Sequence, residues 1–143
     1  MDGHAVHNRV KERYLAGEAA YGVHIKLPAA AEVDIAGASG FDFVKFDPYH
    51  WNINPETLEH MIGRAYSHDI TPWVRCRNDP WEIMKILDMG AQALSIPKCS
   101  SAAYAAAAAS AMFYPPKGRR ESNRPLRFRG MTDADYFEWA SNQ

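Results

Sequence analysis

The sequence predicts an α/β fold made of parallel β/α units, and three observations predict it. Four short runs with strand character alternate with helix-compatible segments, at spacings of roughly twenty to thirty residues, which is the pattern of strand–helix–strand repeats. Two of the helical segments open with the same signal, a capping side chain followed by proline, at Asn54-Pro55 and Asp79-Pro80. Charged side chains stand where the strands should end: Asp47 and His50 after the second, Arg75 at the third, Lys98 after the fourth. In parallel α/β sheets the C-terminal mouths of the strands are where ligands bind.

The elements follow in order. Val10, Tyr14 and Leu15 predict a short amphipathic helix that stops at Gly17. His4 and His7 precede it, and a frayed polar terminus is the expected state there rather than half of a metal site. Val23, Ile25 and Leu27 alternate with His24 and Lys26, a strand with one polar side, closed by Pro28. Residues 29–38 are rich in alanine and suit a helix, with Gly37 and Gly40 supplying the stop and the turn. Phe43, Val44 and Phe46 carry aromatic and β-branched side chains suited to a second strand. Pro48 cannot donate to a ladder, so that strand ends near Asp47 and His50 follows directly.

After Asn54-Pro55 the residues Leu58, Met61, Ile62 and Ala65 recur at i, i+3, i+4 and i+7, the apolar stripe of a helix that runs to about His68. Residues 72–75 read as a third strand, and Asp79-Pro80 opens a helix that turns Ile83, Ile86, Leu87 and Gly90 one way. Residues 93–97 form the fourth strand, and an alanine-dominated helix over 100–113 is stopped by Tyr114-Pro115-Pro116. Six basic side chains and one acid, Glu121, then share residues 117–129 without periodicity. We read this segment as a solvated loop; a phosphate or carboxylate clamp is the sharper alternative. A last helix is expected over 132–143, opened by Thr132 and Asp135 in a capping-box variant.

Composition narrows the function classes. The 143 residues suit a single domain, residues 1–143, with enough apolar content (47%) to bury a core. A formal net charge of −1 gives no global attraction to nucleic acid or membrane, and the loop arginines lack interleaved aromatics apart from Phe128. No apolar run approaches the ~20 residues of a membrane span, and the first residues lack the plan of a signal peptide. Cys76 and Cys99 lack the spacing of a zinc site or a disulfide framework, so a reducing, cytoplasmic location is the expectation.

Taken together, Gly-Phe-Asp-Phe-Val-x-x-Asp-x-x-His (40–50), Glu56-Thr57-Leu58, Val74-Arg75, Asn78-Asp79-Pro80, Ile86-Leu87-Asp88-x-Gly90-Ala91 and Tyr114-Pro115-Pro116-x-Gly118-x-Arg120 occur in one order. This ordered set resembles the HpcH/HpaI aldolase family, the metal-dependent pyruvate aldolases and citrate lyase-like proteins, from about Asn8 onward. The resemblance implies a (β/α)8 barrel of the TIM type, of which this chain would be the N-terminal half: about four strands plus flanking helices. A full barrel needs about 250 residues.

The same resemblance implies a carbon–carbon lyase that cleaves 4-hydroxy-2-oxo acids reversibly. It makes His50 the catalytic base, Asp88 its carboxylate partner, and Arg75 the group that holds the 2-keto acid and steadies its enolate, with Asp47 and Pro97 at the substrate. A divalent cation, Mg²⁺ or Mn²⁺, is expected from the family, whose metal-ligand strands lie beyond this chain, so no metal ligand is assigned here. The partners implied are a small 2-keto acid and either a further copy of the chain or a complementary half barrel. A catalytically inactive module that binds a keto acid or a partner is the alternative. The chain also departs from the family pattern: Tyr49 and Trp51 flank His50 where a glutamate and a small residue are usual, and His24 stands where tryptophan is common.

Overall fold

The local signals at the helix starts act as expected. In the computed structural model, which describes residues 7–121, 123–125 and 128–142, the Asn54 side chain accepts from the Thr57 N–H and opens α3 (Pro55–Ser67). Asp79 does the same for the Glu82 N–H at α4 (Pro80–Asp88). Ser101 opens α5 (Ala102–Met112), and Thr132 opens α6 (Asp133–Ser141). Earlier in the chain come α1 (Arg9–Leu15), capped by Asn8, and α2 (Ala30–Ala38), which ends before Gly40 in the left-handed conformation that glycine adopts freely. His4, Arg127 and the last residue of the chain lie outside the described residues.

The strands are β1 (Gly22–Ile25), β2 (Phe43–Phe46), β3 (Thr71–Arg75) and β4 (Ala93–Ser95). They form one sheet in the order β1-β2-β3-β4, and every pairing is parallel. This is the α/β architecture expected of four consecutive units of a TIM-type barrel. Each strand therefore delivers its C-terminal end to the same side of the sheet. The fourth strand is shorter than expected, and the third begins one residue earlier, at Thr71. Pro72 thus sits inside a central strand, where it removes one ladder donor. The Gly90 carbonyl, just before β4, is satisfied instead by the Tyr66 hydroxyl at 2.8 Å.

The two sheet faces differ because side chains alternate along a strand. Ile25, Val44, Phe46 and Val74 lie on the helix side, buried against Val33, Leu58, Met61, Ile62, Ala65, Ile83 and Ile86. The apolar stripe read along α3 is buried in full. On the other face, His24, Lys45, Trp73 and Ala93 fall at one level of the register. The Phe43 and Trp73 rings lie 5.2 Å apart there, and the Lys45 ammonium sits 5.6 Å from the Trp73 ring centre. Gly22 is paired with Phe43, and a methyl group at Gly22 would lie 2.4 Å from the Phe43 ring, so only glycine fits. A second cluster, Tyr114, Phe128 and Tyr136, holds α6 against the segment that follows α5.

Candidate active site

Asp47 is the first residue after β2, and the turn that follows is closed by its own side chain. The His50 N–H donates to Asp47 Oδ1 at 3.2 Å, and the Trp51 N–H to the Asp47 carbonyl at 3.0 Å. An aspartate that bonds backbone groups a few residues on is a local turn former, and here Pro48 helps by ending the ladder. This turn brings the His50 ring back over the carboxylate. Its Nδ1 lies 3.3 Å from Oδ1 and 3.1 Å from Oδ2.

Neighbouring strands supply the rest. Arg75, at the end of β3, places Nη1 2.8 Å from Asp47 Oδ2 and 2.9 Å from His50 Nδ1. His24 of β1 brings Nε2 to 3.4 Å from the same oxygen. Asp47 is 1% exposed while the His50 side chain is 52% exposed. The carboxylate is therefore a buried hub, and the ring nitrogen left to solvent is His50 Nε2. Tyr49 packs edge-on against the imidazole, with ring centres 4.7 Å apart. Trp51 is 43% exposed and lies under the Lys26 ammonium, 5.2 Å from the ring centre.

The electrostatics follow from this packing. Burial alone would raise the Asp47 carboxyl, but the hydrogen bond with His50 and the charge of Arg75 outweigh it and hold its pKa below the ordinary carboxylate range. His24 is pushed down, first by burial and then by Lys45, Arg75 and Lys26, with Asp47 opposing. Lys45 is also lowered, by burial first and then by Arg75. Asp42, far from this mouth, is held down by the Tyr21 N–H, Arg13 and Arg9 against the opposing effect of burial.

These directions predict acid lability in two stages. A group whose pKa is depressed by folding stabilises the fold above its unfolded pKa, and that contribution disappears as the pH falls through its folded pKa. For His24 the loss begins below ~6.5, and for Asp47 and Asp42 below ~3.9. The urea midpoint should decline first as the pH drops through the lower-six range, and His24→Gln should remove that stage while leaving the carboxylate stage intact. An identical pH profile for the variant would refute the placement of His24.

The expected pairing of His50 with Asp88 is not formed within the chain. Asp88 closes α4, where its Oδ1 accepts from Arg120 Nη2 at 2.6 Å and its Oδ2 from Asn123 Nδ2 at 3.0 Å. The reason is topological. Helices in parallel β/α units run back against the strands, so the C-terminal end of α4 lies by the start of β4, at the opposite end of the sheet from His50. A carboxylate at a helix C-terminus is electrostatically disfavoured, and the nearly buried Arg120 guanidinium, 4% exposed, offsets it. Pro97 follows β4 at the His50 end, its carbonyl accepting from the Tyr104 hydroxyl at 3.3 Å. In the basic loop, Arg124 is likewise tied internally, to Asp133 at 2.6 Å, so Arg120 and Arg124 act as structural ion-pair partners rather than as a clamp.

Asp47 is thus the partner that sequence reasoning placed at the substrate instead of at the histidine. The signal for it was the i, i+3 spacing across Pro48. Nor do the residues fit a divalent cation: the Asp47 oxygens are engaged by Arg75 and the His50 turn, those of Asp88 by Arg120 and Asn123. No three His, Cys, Asp or Glu side chains among the described residues converge as a metal site.

No protein-family model matches the chain. It is 31% identical over 141 residues to the hydroxypyruvate/pyruvate aldolase of Agrobacterium fabrum, a match covering 96% of this chain and 53% of that one. It is 33% identical over 114 residues to a 4-hydroxy-2-oxo-heptane-1,7-dioate aldolase of Salmonella dublin, over 79% of this chain and 43% of that one. Among solved structures, the citrate synthase SbnG superposes with a TM-score of 0.82 at 32% identity, over 94% of this chain and 52% of its own. An HpcH/HpaI aldolase from Desulfitobacterium hafniense superposes with a TM-score of 0.85 at 23% identity, over 92% of this chain and 52% of its own, a likeness of fold. The resemblance to HpcH/HpaI aldolases is borne out, and the chain spans about half the length of the curated relatives it matches.

Proposed function

With pyruvate aldolases of the HpcH/HpaI type as its relatives, we propose that the chain supplies the proton-transfer half of a carbon–carbon lyase acting on 4-hydroxy-2-oxo acids. The observation that supports this most is the meeting of Asp47, His50 and Arg75 at the strand mouths. In the cleavage direction, His50 Nε2 takes the proton of the C4 hydroxyl. The C3–C4 bond breaks, the aldehyde leaves, and its bonding electrons become the enolate of the 2-keto acid. Arg75 faces the developing oxyanion, and Asp47 keeps the ring oriented and stabilises the imidazolium. Return of the proton from His50 to C3 yields the keto acid, and the reverse sequence makes the aldol.

β1 and β4 leave the sheet's two edges without a partner strand among the described residues, a state that soluble parallel sheets rarely keep. Closure by a complementary half, from further chain or a second polypeptide, fits both this and the coverage of the relatives. The test is exchange of the methyl protons of pyruvate with deuterated solvent, followed by proton NMR, using the complete protein with Mg²⁺ or Mn²⁺. Exchange that depends on His50 supports the lyase; its absence, with pyruvate still bound, favours a keto-acid-binding module.

The donor set of the chain makes a separate prediction. The purified 143-residue chain should show no tight Mg²⁺ or Mn²⁺ binding by calorimetry and no cation-dependent exchange. Tight binding would mean that Asp47, His24 or Glu121 can be recruited as oxygen and nitrogen ligands, and substitutions of those residues would find which.

A further inference from the structure

Three atoms at the site cannot all keep their contacts at once. His50 Nδ1, Arg75 Nη1 and Asp47 Oδ2 form a nearly equilateral triangle with sides of 2.9, 2.8 and 3.1 Å. Arg75 can only donate. At 2.9 Å from a nitrogen that always donates, the Arg75 contact is a hydrogen bond only when the neutral ring offers a lone pair at Nδ1, which puts its single proton on Nε2. A ring that instead donates from Nδ1 to Asp47 would point its N–H toward the Arg75 N–H across that same distance. The two arrangements therefore exclude each other.

They also differ in chemistry. With the proton on Nε2, the nitrogen open to solvent has no lone pair and cannot accept a proton. With the proton on Nδ1, directed at Asp47, Nε2 is free and the ring is a competent base. Arg75 has somewhere to go: its side chain is 25% exposed, against 1% for Asp47. An incoming carboxylate or enolate oxygen offers it a charged acceptor, so it can release Nδ1. The other basic side chains near the hub, His24 and Lys45, are held by Asp47 at 3.4 Å and by the Trp73 ring at 5.6 Å, so neither replaces Arg75 at His50.

We propose that Arg75 is a positioning residue that sets the tautomer of His50, keeping the ring in its non-basic form until an anionic 2-keto acid draws the guanidinium away. The ring proton then moves from Nε2 to Nδ1 through solvent, with no net change of charge, and Asp47 holds it there. The consequence is that the base forms only when substrate is bound, which limits idle proton transfer at an exposed imidazole. This deepens the lyase reading of the same site and rests on it for the identity of the ligand.

The experiment is long-range proton–nitrogen NMR on chain labelled with ¹⁵N-histidine, in mildly alkaline buffer, with His50→Gln to assign the signals. Ligand-free chain should show His50 with a protonated Nε2 and an unprotonated Nδ1. Saturating pyruvate should exchange the two, with Arg75 Nε–H shifting over the same titration. Arg75→Met should show the Nδ1–H form without ligand, and no response to pyruvate. A ligand-free wild-type ring already carrying its proton on Nδ1 overturns the proposal, whatever the variant does. So does pyruvate that shifts Arg75 and leaves the tautomer unchanged. If the wild-type ring and Arg75→Met behave as stated but pyruvate perturbs nothing, the tautomer control stands and the 2-keto acid reading falls.

Discussion

Replacing Asp47 by asparagine should lower the turnover of the complete lyase by roughly 10²–10⁴-fold, the scale seen when a histidine base loses the carboxylate that sets its tautomer. The carboxamide keeps the shape of the side chain but turns a donor toward His50 Nδ1, 3.1 Å away, and so holds the ring's proton on Nε2. Asp88→Asn provides the contrast. Its oxygens serve Arg120 and Asn123 on the far side of the sheet, so its turnover should stay near wild type. The weakened bond to a nearly buried guanidinium should cost about 1–3 kcal/mol of stability. Steady-state cleavage of a 4-hydroxy-2-oxo acid and urea unfolding of both variants decide the matter. A large loss of turnover at Asp88 with an unchanged Asp47 variant would restore the partner expected from sequence.

For His50→Ala the expected fall in turnover is also about 10²–10⁴-fold, the range for a lost general base. Binding of pyruvate should survive, because Arg75 keeps its charge and gains freedom once the imidazole is gone. The kcat effect should therefore exceed the KM effect. Turnover equal to wild type would reduce His50 to a residue that merely lines the turn after β2. Exogenous imidazole offers a second readout, since partial recovery in the alanine variant reports a missing proton acceptor rather than a collapsed mouth.

Much of the fold was legible because its signals are local. Asn54, Asp79 and Thr132 cap helices by bonding backbone N–H groups three residues on, a distance set by helical geometry alone. Leu58, Met61, Ile62 and Ala65 share a helix face whatever lies opposite, and all four are buried. The end of β2 was readable from Pro48, and the turn that carries His50 is built by Asp47 from within four residues. The family resemblance added the barrel type, which periodicity by itself does not distinguish from an open sheet.

The composition of the site was less legible. His24 reaches Asp47 only because β1 and β2 pair in a particular register, and a one-residue slip would turn it to the helix side. Arg75 joins His50 across a sequence separation of 25, a contact that depends on where β3 starts and hence on Pro72 being accommodated inside the strand.

By itself the sequence determined which segments become helices and strands, where the helices capped by Asn54, Asp79 and Thr132 begin, and that Asp47, His50 and Arg75 stand at strand ends. These follow from backbone geometry and side-chain chemistry over a few residues. The tertiary structure alone decided which carboxylate lies beside the histidine within the chain. Asp47 and Asp88 are equivalent as chemical groups, but parallel strands carry Asp47 to the mouth of the sheet while the returning helix carries Asp88 to the other end. Direction through the fold, not residue type or spacing, separates the two.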